Sequence, residues 1–170
     1  MKNLISSDWV RRFKFLVVGA AISLSVISAG SDKVWAQSKG QAIRQTIQTL
    51  RQSERRWIQI NVSQQRLIAW EGKIQVYAVN ISTGKKKTPT LTGIFNIQSK
   101  HKKTRMRGTD YDVPNVPYAM FYDGNYAIHG AYWHRSFGTP VSRGCVNVAP
   151  NHAKWLFNWA TVGTPVIVQK

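Results

Sequence analysis

Apolar and polar positions change their period along this chain, and the changes divide it. Phe15 to Ala29 is an uncharged, mostly apolar run, whereas from Ser38 to Ser53 Ile43, Ile47 and Leu50 recur at helical spacing among Gln and Arg. From Arg56 onward the period is two. Trp57 to Val62, Arg66 to Trp70 and Ile74 to Ile81 predict three strands of a β-meander, turned at Ser63-Gln64-Gln65 and Glu71-Gly72-Lys73. Ser82 to Thr90 has no apolar residue and predicts an exposed loop. Gly93 to Ser99 predicts a strand and Lys100 to Pro114 a polar loop; Tyr118 to Tyr122 and Tyr126 to His129 flank a hairpin turn at Asp123-Gly124-Asn125. Pro150 to Ala160 predicts a helix, with Pro at its start and Trp155, Leu156 and Trp159 on one side, and Thr164 to Gln169 predicts a closing strand. The expected fold is mainly β, with one packed helix near the C-terminus, in a single domain over residues 56–170 preceded by a linker helix within 37–55.

The N-terminal segment reads differently. Lys2, Arg11, Arg12 and Lys14 precede the apolar run, and Val34-Trp35-Ala36 places small residues at its first and third positions before Gln37, the pattern of a secretory leader. Residues 1–36 are therefore expected to be a signal peptide; the other reading is an uncleaved anchor on residues 15–29, a stretch of marginal length for a bilayer. Both readings export the domain.

Charge narrows the partners. The chain has 24 Lys and Arg against 7 Asp and Glu, and residues 37–170 keep 19 against 5. The basic clusters Lys85-Lys86-Lys87 and Lys100 to Arg107 come without a recognition-helix, zinc-ligand or paired-aromatic RNA signature, so no nucleic acid is expected. An exported basic domain instead suits an anionic wall or membrane surface, the plainer reading being a solvated basic face. His101, His129, His134 and His152 lack the spacing of a zinc site, and no glycine-rich phosphate loop is present; neither metal nor cofactor is expected.

The chemistry concentrates between Ala127 and Asn147. Cys145 is the single cysteine, so it makes no internal disulfide, and His129 stands at a predicted strand end sixteen residues before it. An imidazole can take a thiol proton, which makes the pair the parts of an acyl-transfer site. Taken alone, a Cys and a His so far apart fit a buried thiol and a structural imidazole better. The neighbours change that balance: Ser142, Arg143, Gly144 and Asn147 are polar company for a core residue, Gly144 permits a tight turn with converging N–H groups, and Arg143 would favour a thiolate. A catalytic Cys145 is accordingly expected to titrate below about 8.5. His134 is a second candidate base, and Trp133 is a packing residue or a substrate platform.

Ile128-His129-Gly130 followed by Ser142-Arg143-Gly144-Cys145-Val146-Asn147 resembles the active-site signature of the L,D-transpeptidase (YkuD) catalytic domain, and the resemblance runs over roughly residues 56–170. It implies a β-sandwich fold, a periplasmic or wall location, no metal, and cross-linking of peptidoglycan stem peptides that serve as donor and acceptor. It implies Cys145 as nucleophile and His129 as general base, with Gly144 and Cys145 giving backbone donors to the oxyanion. Ser142, Arg143 and Asn147 would shape the substrate pocket, together with Gly130, His134 and Trp133. Many members carry His where this chain has Arg143, a departure that bears on substrate preference. The implied reaction is attack on the third stem residue, release of D-alanine, and transfer of the acyl group to a neighbouring amine, giving a 3-3 cross-link. A Cys-His carboxypeptidase that uses water, and a non-catalytic basic wall-binding module, are the alternatives.

Overall fold

The computed structural model describes residues 31–170, with side chains from Gln37 onward; residues 1–30 of the leader expected over residues 1–36 lie outside the described residues. Two sheets form the domain. One has the order β3-β2-β1-β9-β4, from β1 (Arg56–Asn61), β2 (Arg66–Glu71), β3 (Ile74–Asn80), β4 (Gly93–Asn96) and β9 (Pro165–Gln169). The other has the order β5-β6-β7-β8, from β5 (Ser99–Gly108), β6 (Tyr111–Asp123), β7 (Tyr126–Gly130) and β8 (Val146–Val148). The predicted meander is the antiparallel β1-β2-β3 ladder, whereas β1 with β9 and β7 with β8 are parallel.

Alternate residues of these strands meet in one core: Ile58 and Ile60, Leu67 and Ala69, Val166 and Val168 from the first sheet, and Met120, Ile128, Val146 and Val148 from the second. Helix α2 (Pro150–Trp159) adds Ala153 and Leu156 to the same cluster and packs on β6 and β7. A second helix, α1 (Ser31–Arg51), starts earlier than the predicted linker helix and also packs on the domain. Its Ile43 and Leu50 join Trp57 and Ile167, which face away from the main core. The first sheet is thus covered on both faces, which explains why Pro165 to Val168 are buried without alternation.

The polar loop expected over Lys100 to Pro114 is instead a long hairpin, with β5 pairing along β6 and Gly108 opposite Tyr111. Period-two reading fails because β5 is the outer strand of its sheet and neither face needs apolar side chains. Its Lys and Arg residues are of the kind that guards an exposed edge.

Candidate active site

The parallel pairing of β7 with β8 creates the site. His129 lies opposite Asn147 in register, and Ile128 and Val146 point into the core, so period two turns His129, Asn147 and Cys145 to the other face. There they line one cleft with Ser142, Arg143, Trp133 and Val141. Met106, Tyr111 and Val113 of the β5–β6 hairpin close its far wall. The cleft holds about 80 Å³, room for the reacting segment of a peptide with the remainder of a donor lying outside.

His129 is buried, and its Nδ1 lies 3.1 Å from the Gly130 carbonyl oxygen, which accepts only if Nδ1 carries the proton. The ring is thereby held in the tautomer whose Nε2 has a free lone pair, the atom a base needs. Burial pushes its pKa down to about 4, the Gly130 hydrogen bond opposing and the charge of His134 adding to the shift. His129 is neutral at pH 7.

Burial also pushes the Cys145 thiol up, although the Ala127 N–H facing the sulfur opposes the shift. Sγ lies 3.5 Å from the Asn125 carbonyl oxygen, an interaction that suits the protonated thiol. This reverses the expectation of a thiol titrating below about 8.5. Arg143 does not supply the stabilising charge; its Nε donates to Asp110 Oδ2 at 2.9 Å. The pair therefore rests as thiol and neutral imidazole.

Two expected outcomes follow. Alkylation of Cys145 by a neutral reagent should rise with pH along a curve centred above about 8.5, the free-thiol value. A midpoint below it would contradict the neutral pair. Stability should fall as pH drops from the unfolded His value near 6.5 toward 4, because the unfolded chain binds the proton that buried His129 refuses. The full effect is about 3 kcal/mol. Urea unfolding between these pH values should show that slope in the wild type and lose most of it in His129→Gln.

The turn before Cys145 is braced internally. Gly144 has φ +123°, and a Cβ there would stand 2.7 Å from Tyr126 Cε1. Its N–H donates to Ser142 Oγ at 3.0 Å, and the Ser142 hydroxyl donates to the Cys145 carbonyl at 2.5 Å. Thr90 Oγ1 donates to the Gly144 carbonyl at 2.8 Å. Gly144 N–H is therefore engaged within the turn and is not an oxyanion donor; Ser142 positions the loop. Asn147 directs its N–H and C=O to Ser82, each at 2.9 Å, away from β7. Cys145 stands immediately before β8, the strand that carries Asn147.

The other residues singled out from sequence take distinct places. Gly130 is buried, and a Cβ there would lie 2.8 Å from Pro117 Cγ and 3.3 Å from Pro150 Cα, so the glycine serves packing while its carbonyl orients His129. His134 stands outside the cleft lining. Its Nδ1 accepts the Ser136 N–H at 3.2 Å and its Nε2 faces the Asn147 side-chain amide at 2.9 Å. Both ring nitrogens are thus engaged by neighbours in the loop, and His134 braces it. Trp133 is 41% exposed with its ring centroid 5.8 Å from that of His129, a wall against which substrate can lie. Sequence reasoning missed Tyr111, Met106 and Val113. The Gly108-Thr109-Asp110-Tyr111 turn was the available signal, masked by Pro114 and Pro117 in the following strand.

A sequence profile of the L,D-transpeptidase catalytic domain (YkuD) matches residues 55–168. The chain belongs to this family. It is 34% identical over 107 residues to L,D-transpeptidase 2 of Mycobacterium tuberculosis, covering 55% of this chain and 26% of that protein. It is 33% identical over 99 residues to L,D-transpeptidase 1 of the same species, covering 51% and 39%. The chain thus spans 26% to 39% of the length of these curated relatives. Among solved structures, the Enterococcus faecium L,D-transpeptidase superposes with TM-score 0.65 at 28% identity, over 69% of this chain and 50% of that one. The NMR structure of the E. faecium catalytic domain superposes with TM-score 0.62 at 29% identity, over 68% and 98%.

Proposed function

We propose that this domain is an exported acyltransferase that cross-links peptidoglycan stem peptides through a thioester on Cys145. The observation that carries the reading is the Gly130 carbonyl holding His129 Nδ1–H, which frees Nε2 in the cleft that Cys145 also lines. Family membership supports the chemistry, and a carbamoyl enzyme formed with avibactam is described for a similar structure, with TM-score 0.65 and 29% identity over 69% of this chain and 49% of that one.

The Cys145 proton passes to His129 Nε2 as sulfur attacks the carbonyl of the third stem residue, and the Cys145 N–H receives the developing oxyanion. The C–N bond to D-alanine breaks, and the leaving amine takes the proton from His129. An amine of a second stem then gives a proton to His129 and attacks the thioester. The C–S bond breaks, the sulfur is reprotonated, and a 3-3 cross-link results.

Export rests on residues 1–36, as a cleaved signal peptide or as an anchor on residues 15–29. The charge of residues 37–170 suits retention on an anionic wall or membrane surface. Lys85, Lys86 and Lys87 are exposed on the loop that bonds to the nucleophile turn, with Lys85 N–H donating to Ser142 O at 3.1 Å. Cosedimentation with isolated walls should weaken as salt rises through about 0.15 M and beyond; undiminished retention at high salt would contradict an electrostatic surface.

The decisive assay incubates the full chain with a disaccharide-tetrapeptide and separates the products. Cross-linked dimer from wild type and none from Cys145→Ala supports the transpeptidase. Tripeptide without dimer would assign the Cys-His carboxypeptidase, and an untouched substrate would leave a binding module.

A further inference from the structure

Arg143 is the one permanently charged residue lining the cleft, and its charge faces inside the molecule a carboxylate that has little hold on it. Its Nε donates to Asp110 Oδ2 at 2.9 Å, and its guanidinium lies over the Tyr111 ring at 4.9 Å from the centroid. Asp110 sits in the turn between β5 and β6, so this contact joins the tip of the hairpin to the nucleophile turn two residues before Cys145. The Tyr132 hydroxyl fastens the same hairpin from the other side, donating to the Pro114 carbonyl at 2.7 Å. The Arg143 contact is single and open: only Nε is engaged with Asp110, and the two side chains are 45% and 68% exposed. An ion pair of that exposure contributes little. A guanidinium with its terminal nitrogens free can take a carboxylate through two parallel hydrogen bonds, a stronger arrangement than one.

We infer that Arg143 is a specificity-determining residue that binds a free carboxylate on the donor, and that Asp110 occupies its place until the donor arrives. The inference rests on the transpeptidase reading and adds the class of donor: one whose attacked residue bears a second, unamidated carboxylate on its side chain. The donor carboxylate replaces Asp110 on Arg143, and releasing Asp110 frees the hairpin tip that carries Tyr111 and Met106 along the cleft. Tyr111 remains beneath the guanidinium as a flat support. An arginine here, where a neutral imidazole would carry no permanent charge at neutral pH, makes anion recognition independent of pH across the working range.

The test compares two donors that differ only in carrying a carboxylate or a carboxamide at that side-chain position, with acylation of the full chain followed by mass spectrometry as kcat/KM. Wild type should favour the carboxylate donor by on the order of ten- to a hundredfold, the scale of a hydrogen bond to a charged group. Arg143→Gln should bring the ratio toward one, chiefly through KM for the carboxylate donor, and Arg143→Lys should restore part of it. Asp110→Asn removes the competitor, so KM for the carboxylate donor should fall while the preference stays. Equal use of both donors by wild type, or a preference that survives in Arg143→Gln, would overturn the inference while leaving acyl transfer intact. Acylation by neither donor would overturn the transpeptidase reading, and this inference with it.

Discussion

His129→Gln is expected to lower the rate of Cys145 acylation by about 10²–10⁴-fold, the range assigned to a positioned general base. Both members of the pair rest uncharged, because burial holds the thiol up and the imidazole down. No preformed thiolate can carry the reaction when the base is gone. Glutamine can still donate toward the Gly130 carbonyl, yet it has no lone pair basic enough to accept the thiol proton. The loss should shrink as pH rises toward the thiol pKa, since hydroxide then does what His129 did. Acylation measured against pH in both proteins checks this: converging curves at high pH support general-base action. A variant slowed equally at every pH would instead make His129 a purely structural residue.

Gly144→Ala should lower both stability and acylation. A side chain at φ +123° costs on the order of 1–3 kcal/mol of backbone strain, and the added Cβ must also displace the Tyr126 ring, 2.7 Å away. The turn is tied at Ser142 Oγ and by Thr90 Oγ1, so it cannot move without releasing those bonds. Combined destabilisation of about 2–4 kcal/mol is expected, with acylation falling about 10²-fold in the protein that remains folded, the effect of misplacing a nucleophile by roughly an ångström. Gly138→Ala is the matched control: φ is +102°, but nothing lies within 4 Å of its Cβ position. Equal losses of melting temperature in the two variants would show that the Tyr126 contact is immaterial.

Much of this architecture was legible in the residues, and the failures have physical causes. The meander, the hairpin at Gly124 and helix α2 each bury one face, so their periods survive in the sequence. The outer strand β5 buries neither face and left only charge to read. His129 and Cys145 could be paired through their motif, but their protonation could not. The Arg143 charge that promised a thiolate is turned to Asp110, a residue 33 positions earlier, and the hydrogen bond that sets the imidazole tautomer comes from a backbone carbonyl. Backbone acceptors have no sequence signature. The same limit hid the engagement of Gly144 N–H by Ser142, although both residues stood within the motif.

The most direct test of Cys145 as an acyl carrier with His129 as its base is intact-protein mass spectrometry of the full chain, quenched soon after mixing with a tetrapeptide donor. The expected result is a mass gain equal to the donor less alanine, mapped to the peptide that contains Cys145, absent from Cys145→Ala and strongly delayed in His129→Gln. Product formation by Cys145→Ala, or an adduct mapped to any other residue, would contradict the account.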